Sequence, residues 1–479
     1  MAHRPPENRT NPAPIPFGNR QDASWPGVLL MFAAVILTGC TPDPDEAGLW
    51  EKSLRFFSLR DPFVRSSLAA AVLLGVNCGL LGGYLVVRRM ALAGDTLAHA
   101  VLPGIVAGYL YHMTKDPLAM LAGAAVAGIV GSLLVSGITH TTKLKSDAAQ
   151  GLVLTVFFAL GVCWIAMLPP GNKTGLDKFI FGQLAAVDSQ DVSWLAWSLL
   201  ATLASVLLLH RGFLVLSFDA AFGRVAGLPV RFLHYLLMLL TTVAIVVSME
   251  AVGVVLVSAL LVIPAAAAGL LTDQLHRLLV ISAAIGVLSA LAGSYFSFVG
   301  TRLPAGPMVV LCAAALFAGA FCFSPRHGWL TRWWKARQWN RRVRLENALK
   351  AIYHLLEKRD SAEIPGRHFT ADEFAASQGC TVRRSSSALK PLQQAGWLAA
   401  AAPGDFSLTD AGWAEARRVV RNHRLWELYL TQRARFATDH VHEDAEKMEH
   451  LLSEENVRRM AEQLGNPTAD PHGRPIPPA

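Results

Sequence analysis

Residues 66–104 read SSLAAAVLLGVNCGLLGGYLVVRRMALAGDTLAHAVLPG, and this stretch decides the fold. Ser66 to Val87 is uncharged, and about 20 such residues are what a helix needs to cross the hydrocarbon core of a bilayer. Arg88 and Arg89 end the run, and basic residues gather at the cytoplasmic ends of spans. Apolar sequence then resumes, but it carries Asp95 and His99. Residues four apart share a helix face, so a carboxylate and an imidazole lie one turn apart inside a membrane segment. Ionisable groups there are costly, which makes them functional candidates by default.

The same pattern extends outward. Apolar stretches at 66–87, 95–111, 118–139, 150–168, 193–210, 231–249, 251–268, 278–299 and 304–323 predict about eight to ten transmembrane helices. Arg88-Arg89, Lys143 with Lys145, Arg211 with Arg224, His276-Arg277 and Arg326 follow alternate stretches. Placing these loops inside gives one topology: residues 41–63 outside, the C-terminus cytoplasmic, and the chain multi-pass in the plasma (inner) membrane. Composition agrees. The chain is 53% hydrophobic and 16% charged with a mean hydropathy of +0.37, whereas soluble domains carry roughly 25% charged residues. The net charge of +8 then reads as cytoplasmic loop charge rather than as a nucleic-acid footprint. The six cysteines form no CxxC pair, which argues against a disulfide framework or a zinc ribbon.

Asp95 and His99 admit two readings on spacing alone. They supply half of a divalent transition-metal site, or Asp95 caps a helix and His99 is a satisfied core histidine. Two inner loops, Asp219–Pro229 and Ala266–Arg277, could each dock a partner. The chain holds no GxxxxGK[ST], so ATP hydrolysis by that route must come from another subunit. Near the N-terminus, Val28–Thr38 is apolar and ends in Leu37-Thr-Gly-Cys40. That resembles a lipoprotein signal with a lipidated Cys40; the alternatives are an extra helix or a different start codon.

The run Arg88–Gly104 resembles the signature of manganese, zinc and iron ABC permeases. Asp147-Ala-Ala-Gln-Gly-Leu-Val-Leu-Thr-Val-Phe-Phe-Ala-Leu-Gly161, Phe179-Ile-Phe-Gly182 and Ala251-Val-Gly-Val-Val-Leu-Val-Ser-Ala-Leu-Leu-Val-Ile-Pro264 follow in the family's order. The resemblance implies a membrane permease subunit for Mn2+, Zn2+ or Fe2+ uptake. It implies a second permease subunit (identical or different), cytoplasmic ABC ATPase subunits and an extracytoplasmic metal-binding lipoprotein. It places Asp95 and His99 on the metal path, and makes Leu270, Leu271, Asp273, His276 and Arg277 the first choice for ATPase contact.

Beyond residue 324 charges become dense. Residues 325–343 are basic and Trp-rich, which suits an interfacial anchor and linker. Leu345–Glu357 reads as an amphipathic helix and Phe369–Gly379 as a capped helix, with Thr381–Ala395 a second helix after a short turn. Trp397-Leu398 and Phe406–Leu408 suit a two-stranded wing. That is the order of a winged helix-turn-helix, with Arg383, Arg384, Ser385, Ser386 and Lys390 on its recognition helix, where DNA is the partner it implies. His423 and Glu427, then His442, Glu446, Glu449 and His450, share helical faces at metal-ligand spacing. Residues 344–477 resemble the iron-dependent repressor family, through Ala351-Ile-Tyr353, Asn422-His-Arg-Leu425, Met448-Glu-His-Leu-Leu-Ser453 and Gly465–Gly473. The resemblance makes those six residues ligands for a divalent metal, with Glu446 matching the manganese-type members. The family's first-helix ligand positions fall on Asn347 and Lys350, and a protonated lysine cannot bind metal.

The expected organisation is therefore a leader or extra helix at 1–62, an all-α polytopic permease at 63–324 and a linker at 325–343. A small α+β winged-helix domain at 344–410 and an all-α metal-binding and dimerisation domain at 411–479 complete it. The expected function is ATP-driven metal uptake under metal-responsive control. The alternatives for the C-terminal part are a membrane-tethered, metal-dependent transcription regulator and a dimerisation module with vestigial ligands.

Overall fold

A computed structural model describes residues 49–112, 117–167, 187–300, 303–325, 328–359, 368–379, 381–432 and 454–478. The chain divides into two compact units, 1–331 and 332–479. Among the described residues the first is all helical: α1 (Leu49–Ser58), α2 (Pro62–Val87), α3 (Leu92–Ala100), α4 (Leu102–His112), α5 (Pro117–Thr141), α6 (Ser146–Met167), α7 (Ser189–Leu208), α8 (His210–Phe218), α9 (Ala220–Val225), α10 (Val230–Val252), α11 (Val254–Leu271), α12 (Leu275–Val299) and α13 (Ala305–Phe323). Eight of these are long and apolar enough to cross a membrane: α2, α5, α6, α7, α10, α11, α12 and α13.

The stretch 95–111 is not one continuous helix, as its hydropathy suggests, but the pair α3 and α4, meeting at Val101. Pro103 explains the break, because it has no N–H to give the carbonyl of His99 and its ring crowds that carbonyl.

Hydrophobicity does not drive helices together in lipid, so contact surfaces are built from small residues that let backbones approach. Helix α2 is the central case. Gly75 and Gly79 lie against the backbone of Gly286 and Ala283 on α12, and Gly82 lies against the backbone of Leu261 on α11. The α4–α5 pair repeats the device, with Gly104 and Gly108 against Gly123 and Ala119. Polar groups add local ties: Asn77 Nδ2 donates to Ser198 Oγ at 3.0 Å and Ser282 Oγ donates to the Gly79 carbonyl at 2.8 Å, both buried.

The second unit begins within α14 (Trp329–Glu357), followed by β1 (His368–Thr370), α15 (Ala371–Ser377), α16 (Val382–Gln394), β2 (Leu398–Ala402), β3 (Asp405–Leu408), α17 (Asp410–Gln432) and α18 (Glu454–Gln463). From Trp329 onward the stretch read as a linker is the first half of α14, since neither Gly nor Pro interrupts Trp329–Glu357. Helices α15 and α16 and the wing fall where the sequence places them. Thr370 caps α15 in a capping box with Glu373, and Gly379 ends it at φ +58°. The wing is three-stranded, in the order β1-β3-β2 and antiparallel throughout, with Phe369 opposite Phe406. Its core joins Leu349, Ile352 and Leu356 of α14 to Phe374, Leu389, Leu392 and Val420.

Candidate metal path and regulatory site

Helix α3 is buried on nearly every side. Ala93, Gly94, Thr96, Leu97, Ala98 and Ala100 are buried, and the accessible positions are Leu92, Asp95 and His99. These lie on one line at i, i+3 and i+7. The helix is seated from behind: at Gly94 a Cβ would stand 3.0 Å from Leu261 Cδ1, so α3 rests directly on α11. Thr96 ties it to α6, its hydroxyl donating to the Gln150 carbonyl at 3.4 Å as well as to the Leu92 carbonyl of its own helix at 2.8 Å.

Asp95 Oδ1 and His99 Nε2 are 3.5 Å apart. That is long for a hydrogen bond. It is close to the spacing, about 3.4 Å, of two donors each about 2.1 Å from one tetrahedral ion. His99 Nδ1 is buried without a hydrogen-bond partner, and the ring sits edge-on to Phe158, centroids 5.0 Å apart. Ser258 on α11 places its hydroxyl beside the Asp95 carboxyl. Asp95 does not cap its helix: the N-cap position is Ala91. Sequence reading missed Ser258 and Phe158, although Ser258 is the one polar residue between Val254 and Pro264.

Between α11 and α12, Thr272–Gln274 make a tight turn. Asp273, His276 and Arg277 are exposed, while Leu270 and Leu271 are partly covered. The loop Asp219–Pro229 forms α9, where Asp219 accepts from the Phe222 amide at 2.8 Å. It exposes Phe222 and Val225, the latter at 89%.

In the second unit, His423 and Glu427 are adjacent, Nε2 to Oε1 3.1 Å, with side chains 3% and 4% exposed. Lys350 Nζ lies 3.0 Å from His423 Nδ1. A divalent ion does not fit this half-site as it stands, because a buried ammonium holds the place beside the ring. His442, Glu446, Glu449 and His450 lie outside the described residues, as does Cys40. Among the described residues no group of three metal-ligating side chains converges.

On the recognition helix α16 one expectation changes. Ser385 is 1% exposed, and its hydroxyl donates to the Ala371 carbonyl at 3.4 Å. It shares the inward stripe of Leu389 and Leu392, which are fully buried, so it belongs to the core and not to a DNA-facing surface. Lys390 is exposed. The side chains of Arg383, Arg384 and Ser386 lie outside the description.

Salt links secure the second unit. Glu357 receives Arg424 through two nitrogens, at 3.0 and 2.6 Å, and His354 lies 3.3 Å away. Burial pushes the Glu357 carboxyl up, but the hydrogen bonds from His354 and Arg424 and their charges prevail and hold it at about 2.

Comparison with known proteins bears on both units. Residues 60–324, more than half of the chain, match the model of the ABC 3 transport family. Residues 409–478 match that of the iron dependent repressor, metal binding and dimerisation domain. The chain is 38% identical over 279 residues to the manganese transport system membrane protein MntC of Halalkalibacterium halodurans, covering 58% of this chain and 92% of that one. It is 30% identical over 440 residues to a probable metal transport system membrane protein of Chlamydia trachomatis, covering 87% and 97%. Among solved structures it is similar to PsaBC of Streptococcus pneumoniae in complex with Fab, at 30% identity and a TM-score of 0.52, covering 59% of this chain and 99% of that one. With eight membrane-length helices in the matched region and a repressor-type domain behind them, this multi-pass membrane chain belongs to the ABC 3 transport family.

Proposed function

We propose that this permease carries a divalent transition metal inward across the plasma membrane, with Asp95 and His99 as the ligands the ion meets along its path. The observation that carries the reading is the single open line of α3. A carboxylate facing lipid would be costly, so this line faces water or a second permease subunit. One chain contributes an oxygen and a nitrogen donor. Two such pairs about a two-fold axis supply four, enough for a bare divalent ion. With no sulfur among the donors, the site suits Mn2+ or Fe2+ more than Zn2+.

Energy comes from separate ATPase subunits on the cytoplasmic side. Exposed apolar side chains in the loops between spans mark protein contacts, and Phe222 and Val225 favour α9 as a docking point in addition to the Leu270–Arg277 turn. A metal-binding lipoprotein delivers the ion from outside. The cytoplasmic C-terminal unit controls uptake by responding to internal metal. A second reading, in which this unit binds DNA, draws on the winged-helix order and on exposed Lys390. It requires operator binding that falls steeply with salt in a gel shift.

The test is manganese uptake by cells carrying Asp95→Asn or His99→Gln at matched membrane levels. Each variant should lose uptake while keeping its thermal melting temperature. Uptake at parental rates in both would end the reading.

A further inference from the structure

Both ring nitrogens of His423 are engaged: Nδ1 with Lys350 Nζ at 3.0 Å and Nε2 with Glu427 Oε1 at 3.1 Å. An ammonium can only donate, so Nδ1 is the acceptor. The ring proton then sits on Nε2, and Glu427 accepts it. A neutral imidazole has one lone pair to offer a metal, and Lys350 holds it. All three residues are buried, Lys350 at 7% exposure, His423 at 2% and Glu427 at 3%.

We propose that Lys350 is a resident cation standing in for a metal ion between α14 and α17, so that these helices are clamped whether or not metal is present. The rest of the contact agrees. Residues 346, 350, 353 and 357 form one line along α14, and each meets α17. Arg418 reaches Glu346 at 3.1 Å, Trp413 stacks on Tyr353 with ring centroids 5.2 Å apart, and Arg424 grips Glu357. Positive charge reaches this seam from α17 at both ends and from α14 in the middle. A divalent ion added there would meet a buried cation of like sign. Any metal response of the unit therefore enters through ligands other than His423. The inference rests on the regulatory reading only for the expectation that metal would bind at His423; the transport path is separate.

Hydrogen exchange of the full chain in detergent, with Mn2+ or with EDTA, tests this in an Asp95→Asn/His99→Gln background that removes the path ligands. Exchange around Lys350 in α14 should be the same in both conditions. In Lys350→Glu the same segment should become protected by Mn2+ at least tenfold, with one more Mn2+ bound per chain, and adding His423→Gln should reverse both. If Lys350→Glu fails to fold, Lys350→Met, which removes the charge and keeps the length, should show the same gain more weakly. Protection around Lys350 by Mn2+ in the Lys350 parent overturns the proposal, as does a folded Lys350→Glu or Lys350→Met chain that gains no ion. If the parent binds no Mn2+ anywhere in residues 332–479 while Lys350→Glu gains one, the regulatory reading fails and the resident cation stands.

Discussion

Replacing Gly82 by alanine tests how the small-residue seams of α2 hold the metal path in place. A Cβ at Gly82 would overlap the Leu261 carbonyl oxygen and stand 2.8 Å from its carbonyl carbon. Carbon atoms prefer about 3.5 Å or more, so α2 and α11 must part by at least about 0.7 Å. Both partners are backbone, and no rotamer can relieve the overlap. The cost therefore lies at the upper end of overpacking, about 3 kcal/mol, against a gain of about 0.5–1 kcal/mol for removing a glycine from a helix. Gly94→Ala is the control. There the Cβ would meet only the side chain of Leu261, tightest at the flexible Cδ1 end at 3.0 Å and in ordinary contact with its Cβ at 3.4 Å, and the helix gain offsets the shift. Because Leu261 touches both glycines, displacing it also moves the helix that carries Asp95 and His99. Thermal melting of the detergent-solubilised chain and manganese uptake in cells read the two effects. Gly82→Ala should melt well below the parent and transport roughly a hundredfold less, while Gly94→Ala should stay near the parent in both. Equal melting and uptake for the two variants would refute the reasoning.

Three further outcomes follow from the geometry. Because the Glu357 carboxyl is held down at about 2 in the folded unit, its contribution is complete above the ordinary carboxylate range and is lost as pH falls toward 2; calorimetry of the C-terminal transition should show Glu357→Gln losing less stability than the parent across that acid window. Phe222→Ser with Val225→Ser should leave melting unchanged but remove metal-coupled stimulation of the partner ATPase, measured as phosphate release in reconstituted vesicles. Ser198→Ala removes the acceptor of Asn77 and should cost about 0.6 kcal/mol, the usual scale of such interhelical bonds in lipid, seen as a small fall in melting temperature.

Much of this protein follows from one-dimensional pattern. Length and apolarity mark the membrane-spanning stretches, because a backbone in lipid must satisfy its own hydrogen bonds and a helix does so locally. Thr370 and Gly379 mark the ends of α15, since capping and positive φ depend on the residue at the boundary. The pairing of Asp95 with His99 needs only a helix of known pitch. Other features depend on parts of the chain far apart in sequence. The broken second span required Pro103 to be weighed against an otherwise continuous apolar run. Ser385 belongs to the core because Leu389 and Leu392 turn that face of α16 inward, which periodicity alone does not orient. Ser258 reaches Asp95 only because Leu261 packs against Gly82 and Gly94. Lys350 reads from sequence as a lost metal ligand, and only the approach of α17 to α14 converts its charge into a partner for His423. Helix pitch and span length are local properties of the backbone; which side chains meet is decided by the packing of whole helices, where a glycine or a buried charge outweighs any local preference.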